Sequence, residues 1–171
     1  MEIWDILDEN GNKTGRTIDK ADPMSRAPGV YHQGVDVWII NSENKILIQK
    51  RAPQKKLEPN VWAMTGGSVI KGETEVETIK REAFEELGIK LDMEHAVKEL
   101  HYKTGCVWIE GYIVRQDIDL DKVVMQPDEV SDVKFATYDE IEELYNTNNF
   151  IQNRWEFVRD KIKKYIWLNF F

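Results

Sequence analysis

Residues 67–89 read "GSVIKGETEVETIKREAFEELGI". Apolar residues recur every three or four positions in its second half and predict the buried face of a helix: Val76, Ile79, Ala83 and Leu87. A T-x-x-E capping box at Thr74 and Glu77 predicts where this helix begins, and Gly88 predicts where it ends. The stretch is therefore expected to form a loop, a helix and a second loop.

Three glutamates lie on another side of the predicted helix: Glu82, Glu85 and Glu86. At about 100° per residue their side chains project from neighbouring faces and can converge on one point. Hard cations such as Mg²⁺ take oxygen ligands, carboxylates among them. Arg81 stands four residues from Glu77 and from Glu85, where it can orient a carboxylate. The spacing indicates a cation site but leaves a solvated acidic face as the alternative.

The whole stretch resembles the Nudix box, G-x5-E-x7-R-E-U-x-E-E-x-G-U, where U is an aliphatic residue. Every fixed position is matched: Gly67, Glu73, Arg81, Glu82, Glu85, Glu86 and Gly88. Ala83 and Ile89 occupy the aliphatic positions. The resemblance implies an α/β fold, specifically a Nudix-type α/β/α sandwich with a central mixed sheet, in which residues 67–89 form the catalytic loop–helix–loop.

The resemblance also implies a function and a role for each matched residue. Nudix proteins typically hydrolyse a diphosphate linkage in a nucleoside diphosphate derivative or a related organic diphosphate, with Mg²⁺ or Mn²⁺. Three residues would be metal ligands: Glu82, Glu85 and Glu86. Arg81 would orient a glutamate, Glu73 would brace the loop, and Gly67 and Gly88 would have structural roles in the motif. Two candidates remain for activating the attacking water, Glu82 and Glu129 of the later segment "QPDEVSD".

The segment before the box carries a second resemblance. "RAPQKKLEPNVW", residues 51–62, is similar to isopentenyl-diphosphate isomerases, which share the Nudix fold and grip a diphosphate with basic residues there. The resemblance implies substrate binding by Arg51 and by Lys55 or Lys56, with a solvated basic loop as the alternative.

Isomerase chemistry is disfavoured by the residues after Trp62. The isomerases carry a cysteine shortly after this tryptophan and a histidine beyond it as a metal ligand, whereas "WAMTGGSV" has neither. His32 does match an isomerase histidine, although a structural role next to a strand is the alternative. With the box intact, a hydrolase is favoured over an isomerase and over a non-catalytic diphosphate-binding module, which would be expected to lose a box glutamate.

The rest of the chain is compatible with one domain over residues 1–171. We expect an N-terminal hairpin within residues 1–20 and a C-terminal helix over residues 150–168. Further alternating segments predict strands, and strands mixed with three helices indicate an α/β architecture.

Composition and charge exclude several classes of protein. The formal net charge of −8 argues against a nucleic-acid surface, because sequence-independent binding needs Lys and Arg against phosphates. No apolar stretch of about 18 residues is present to span a membrane, and the N-terminus lacks a signal sequence, so we expect a cytoplasmic protein. The single cysteine, Cys106, excludes an internal disulfide. The expected partner is a small-molecule diphosphate.

The box does not select the substrate. Four rings outside it either stack on a base or fill the core: Trp62, Tyr102, Trp108 and Tyr112. The aromatic C-terminus "YIWLNFF" is expected to pack on its own domain or on a second subunit, and family habit alone favours a homodimer.

Overall fold

The computed structural model describes residues 1–168, and of Leu168 only the backbone. The described strands are Ile3–Leu7 (β1), Lys13–Asp19 (β2), His32–Ile40 (β3), Ile46–Arg51 (β4), Trp62–Ala63 (β5), Thr65–Ser68 (β6), Val97–Thr104 (β7), Val107–Arg115 (β8) and Val130–Ala136 (β9). The α-helices are Glu75–Leu87 (α1), Tyr138–Asn146 (α2) and Gln152–Leu168 (α3). A short 3₁₀ helix, Pro23–Arg26, connects β2 to β3.

β1 and β2 form an antiparallel hairpin beside the main sheet. The Asp8 carboxylate holds its turn by accepting the backbone N–H groups of Asn10 and Asn12, both at 2.9 Å. The Lys71 N–H donates to the Ile3 carbonyl at 2.7 Å, so β1 lies against the loop that leads into α1. The hairpin thereby supports one side of the residue 67–89 segment.

The main sheet has the strand order β5-β4-β3-β8-β7, with β6 beside β3 and β9 beside β4. β3 and β8 are parallel and the other pairs are antiparallel, so the sheet is mixed. Within the described residues β3 and β4 share a single register pair, Ile40 with Ile46. The sheet therefore divides between these strands beyond that point, and the division makes room for a cavity.

Alternating side chains of β3 enter two separate cores. Val37 and Ile39 pack on the α1 side, whereas Trp38 and Ile40 pack on the side of α2 and α3. On the second side Trp38 and Trp155 are fully buried, with ring centroids 5.5 Å apart. Helices cover both faces of a mixed sheet, which confirms the predicted α/β/α sandwich.

The ends and the buried face of α1 follow from its sequence. Thr74 and Glu77 form the predicted capping box, with the Thr74 N–H donating to Glu77 Oε2 at 2.7 Å. Gly88 ends the helix in the left-handed conformation, at a φ of 67°. Ile79, Ala83 and Leu87 are fully buried. With this stripe facing the core, the glutamates are turned toward β6 and the division in the sheet.

The C-terminal helix begins two residues later than predicted, at Gln152 instead of residue 150. The residues before it pair with β5: the Trp62 N–H donates to the Asn149 carbonyl at 2.8 Å, and the Ile151 N–H donates to the Trp62 carbonyl at 2.9 Å. This extended pairing prevents the helix from starting earlier.

The aromatic C-terminus is described only in part. Ile166 is buried and Trp167 is 64% exposed, while residues 169–171 of the predicted packing segment lie outside the described residues. In residues 1–168 no helix is both long enough and apolar enough to cross a membrane.

Candidate active site

Arg81 joins three of the box glutamates through one guanidinium. Nε and Nη2 donate to the two carboxylate oxygens of Glu73 at 2.9 and 3.1 Å. Nη1 donates to Glu82 Oε1 at 2.8 Å and to Glu85 Oε2 at 3.1 Å. Such two-point, charge-assisted bonds fix geometry more tightly than a point charge does. Arg81 therefore sets the direction of the Glu82 and Glu85 carboxylates on α1.

Glu73 ties this cluster to the loop before α1. Its Oε2 accepts the Thr78 hydroxyl at 2.8 Å, and its own N–H donates to the Ile70 carbonyl at 2.9 Å. The hydrogen bond from Arg81 is the main reason that the pKa of Glu73 lies below its ordinary value. Glu73 thus remains a charged anchor at neutral pH.

Gly67 lets Glu82 approach β6. A Cβ at Gly67 would lie 2.6 Å from Glu82 Cγ, and closer still to the carboxylate, so the Glu82 side chain would have to move. Burial is the main cause that raises the pKa of Glu82, although Arg81 opposes the shift. Glu82 is therefore a partly desolvated carboxylate held between a glycine and an arginine.

Glu86 is held by β4. The Gln49 side-chain amide donates to Glu86 Oε2 at 2.6 Å, and Gln49 Oε1 accepts the Thr65 hydroxyl at 3.2 Å, which fixes the orientation of the amide. Burial, and then the nearby charges of Glu82 and Glu129, raise the pKa of Glu86 to about 8. Without a cation beside it, this carboxyl is mostly protonated at neutral pH.

The donor set fits a hard divalent cation. Two crowded, desolvated carboxylates with raised pKa values, Glu82 and Glu86, are groups that a cation would stabilise in the charged form. In residues 1–168 no three His, Cys, Asp or Glu side chains already stand as a ligand set. Glu85 is about half exposed and is turned to Arg81. The positions that would hold Mg²⁺ or Mn²⁺ are therefore Glu82 and Glu86, with Glu85 at their edge.

The "QPDEVSD" loop brings Glu129 close to Glu86. The Gln126 N–H donates to the Glu86 carbonyl at 2.9 Å, and the Ala52 N–H donates to the Glu129 carbonyl at 2.9 Å. The Glu129 carboxylate pairs with Lys55, and both charges act on Glu86. Glu129 and Lys55 thus lie beside the carboxylates of α1.

The other two predicted substrate-binding residues differ in placement. Arg51 lines the cavity at the division of the sheet, and its guanidinium also holds the loop after β4 by donating to the Leu57 carbonyl at 2.9 Å and to the Glu58 carbonyl at 3.1 Å. Lys56 is exposed on that loop. The structure therefore brings Arg51 and Lys55 to the site and leaves Lys56 toward solvent.

The cavity has a volume of about 220 Å³ and opens where the sheet divides. Glu86 and Gln49 stand in its wall, together with the cations Arg26, Arg51 and Arg154. In the part of the chain that the structure describes, the four rings considered for base stacking lie outside its lining: Trp62, Tyr102, Trp108 and Tyr112. The cavity thus combines an acidic position with a cationic wall.

Several residues of this cavity were missed by reasoning from the sequence. Asp36 and Gln49 are polar residues inside the apolar segments "GVDVWII" and "KILIQKR", a signal that each has a buried partner. Arg26 and Arg154 lie in segments with no such signal, because their meeting depends on the fold.

Comparisons with known proteins show what this chain is similar to in sequence and in fold. The NUDIX domain model matches residues 30–160. The chain is 36% identical over 154 residues to an uncharacterized Nudix hydrolase of Listeria monocytogenes, covering 88% of this chain and 89% of that protein. It is 29% identical over 140 residues to the isopentenyl-diphosphate Delta-isomerase of Pectobacterium atrosepticum, covering 80% of this chain and 76% of the isomerase.

The fold also matches a solved structure. The crystal structure of DR0079 from Deinococcus radiodurans superposes with a TM-score of 0.77 at 23% identity, covering 95% of this chain and 98% of that one. At 23% identity, this similarity is evidence for a shared fold.

Proposed function

The chain belongs to the Nudix hydrolase family, and on that premise we propose that it cleaves a diphosphate linkage in a nucleoside diphosphate derivative or a related organic diphosphate, using Mg²⁺ or Mn²⁺. The observation that carries the proposal is the pair Glu82 and Glu86, two desolvated carboxylates with raised pKa values beside a cavity.

The chain's own residues divide the work around this pair. Nudix hydrolases generally use divalent metals, and the cation, when bound, would offset the charge that develops on the phosphates. Arg81 orients Glu82, and Gln49 orients Glu86. Lys55 and Arg51 supply positive charge for the diphosphate oxygens. For Lys55 this requires exchanging its pairing with Glu129 for the substrate.

Two residues remain candidates for activating the water. Glu82 accepts a hydrogen bond from Arg81, and Glu129 pairs with Lys55, so each carboxylate has a cationic partner. Glu82 is the preferred candidate, since burial raises its pKa above the ordinary value. The pH profile of Glu129→Gln tests the choice: if Glu129 is the base, this variant loses the acidic limb of the rate profile, and if the limb is unchanged, Glu82 is favoured.

The isomerase alternative is not favoured by the site. Ala63 and Met64 line the cavity directly after Trp62, in the region where the isomerases carry their cysteine. The single thiol, Cys106, is placed elsewhere, with its Sγ 3.6 Å from the Arg26 and Ala27 carbonyls. A cytoplasmic location and a homodimer stay predictions.

The experiment that tests the proposal is turnover of a panel of nucleotide and isoprenoid diphosphates with Mg²⁺, with Mn²⁺ and with a chelator. Reaction in water enriched in heavy oxygen identifies the phosphorus that is attacked. We expect cation-dependent release of a phosphate product that carries the label. Allylic rearrangement without label would show an isomerase instead, and tight binding without turnover would show a binding module.

A further inference from the structure

Arg154 is a cavity residue whose donors are not satisfied by the protein. It lies in the first turn of α3, and its side chain is 17% exposed. Its Nε and Nη1 atoms are buried, and neither has a hydrogen-bond partner within the described residues. A buried donor without a partner destabilises the fold, and more so when the group is charged. We therefore expect a ligand that accepts hydrogen bonds from these donors to stabilise the site.

The ion pair of Arg154 with Asp36 is a weak one. Asp36 Oδ2 lies 3.5 Å from Arg154 Nε, beyond the range of a good hydrogen bond. The same oxygen accepts the Tyr102 hydroxyl. Burial is also the main cause that raises the pKa of Asp36, which favours its neutral form. Asp36 therefore compensates the charge of Arg154 only in part.

The surroundings of Arg154 are electropositive. Arg26 lines the same cavity. Burial, followed by the charges of Arg26 and Arg154, lowers the pKa of His32 to about 4, so His32 is neutral and adds no charge. The first turn of a helix is its positive end, where a cation is unfavourable. The two arginines and the helix end thus favour a negative group at this wall.

We propose that this wall, centred on Arg154, is a subsite for a second anionic group of the substrate, a carboxylate or a phosphate on the part joined to the diphosphate. The assignment rests on the proposed function, which places the cation beside Glu86 and the diphosphate beside Arg51, both of which line the same cavity. A guanidinium offers paired donors that match a carboxylate or phosphate, and the anion would neutralise its buried charge. Arg154 is then the residue that selects the substrate's other half.

The test uses three non-hydrolysable methylene-diphosphonates with the same alkyl chain, one ending in a methyl group, one in a carboxylate and one in a phosphate. Binding is measured by calorimetry with Mg²⁺ for the wild type, Arg154→Gln and Arg154→Lys. Arg159→Gln is the matched control, because Arg159 lies on the same helix, is 40% exposed and pairs with Glu142 outside the cavity.

We expect the wild type and Arg159→Gln to bind at least one anion-ended analogue about ten- to a hundredfold more tightly than the methyl-ended one. Arg154→Gln should lose this preference, because its affinity for the anion-ended analogues should fall much more than its affinity for the methyl-ended one. Arg154→Lys should keep part of the preference for the anion-ended analogues. It provides the test if Arg154→Gln fails to fold. The better of the two anions identifies whether carboxylate or phosphate is recognised.

The proposal is wrong if the wild type binds the three analogues equally, binds none of them, or keeps its preference in Arg154→Gln. Its failure differs from failure of the proposed function. If the protein hydrolyses diphosphates but lacks this preference, only the Arg154 subsite is refuted. If it shows the preference but hydrolyses no diphosphate, only the proposed hydrolase activity is refuted.

Discussion

Arg81 and Arg154 are two largely buried arginines whose charges the molecule handles in opposite ways. Arg81 donates to three carboxylates, with distances between 2.8 and 3.1 Å. Arg154 has a single carboxylate, at 3.5 Å, and two buried nitrogens without a hydrogen-bond partner in residues 1–168. The first arginine is saturated by the protein, and the second has donors left over.

The difference separates a scaffold from a binding surface. A saturated guanidinium holds its partners in place and has little to offer a ligand. An unsaturated one is destabilising until a ligand completes it. The Arg81 region therefore positions the carboxylates that would hold the cation, and the Arg154 region is the proposed binding surface for part of the substrate.

Among the changes that test this comparison of the two arginines, the largest effect is expected from breaking the Arg81 region at Gly67. In Gly67→Ala the new Cβ displaces Glu82, so the contact between Glu82 and Arg81 is lost. We expect kcat/KM to fall by about a hundredfold, roughly 2.7 kcal/mol, in steady-state turnover of the best diphosphate.

A double-mutant cycle with Glu82→Gln checks the cause. If Gly67→Ala acts through Glu82, the double variant is no slower than Glu82→Gln alone. Independent, additive losses would mean that the glycine matters for another reason.

A smaller effect is expected on stability, and it contrasts the two arginines directly. Arg81→Gln should lower the free energy of unfolding by about 2 kcal/mol, because it leaves Glu73 and Glu82 without their partner in a half-buried site. Arg154→Gln should change it by less than about 1 kcal/mol, since it removes a poorly compensated charge. Urea unfolding at neutral pH measures both. Equal losses would erase the distinction drawn between the regions.

A pH dependence of stability is expected from Glu86 in the cation-free protein. Its pKa of about 8 in the fold exceeds the ordinary 4.5, so the folded state holds the proton more tightly than the unfolded chain. The stabilisation is complete below the ordinary pKa and is lost as pH rises toward 8, with a slope of at most about 1.4 kcal/mol per pH unit.

Urea unfolding across this range with a chelator present checks the slope against Glu86→Gln. Glu86→Gln has no carboxyl to titrate at this position, so its free energy of unfolding should lack the pH dependence that Glu86 contributes. If the free energies of unfolding of the wild type and Glu86→Gln differ by the same amount at every pH, the pKa of Glu86 is not raised in the fold.

The features that the sequence could predict were mostly local. The capping box, the buried stripe and the left-handed stop of α1 depend on residues within one or two turns, and all three are confirmed. The α/β/α sandwich is confirmed as well, through the family resemblance and the alternation of apolar residues. The roles of the box residues stay predictions that the geometry accommodates.

The features that the sequence could not predict depend on distant elements meeting. Arg26, Asp36 and Arg154 lie in a 3₁₀ helix, a strand and a C-terminal helix, and only the packing of α3 over the divided sheet brings them to one cavity. Nothing in their local spacing indicates a shared site. Likewise, the position of Lys56 toward solvent depends on the path of its loop and not on its charge.

The central claim is that Glu82 and Glu86 hold the divalent cation that diphosphate hydrolysis needs. The direct measurement is Mg²⁺- and Mn²⁺-dependent turnover of the best diphosphate by the wild type, Glu86→Gln and Glu143→Gln, an exposed glutamate of α2 as control. We predict at least about a hundredfold loss of kcat in Glu86→Gln, with weaker cation activation and an intact fold, and no change in Glu143→Gln. Full cation-dependent turnover by folded Glu86→Gln would contradict the account.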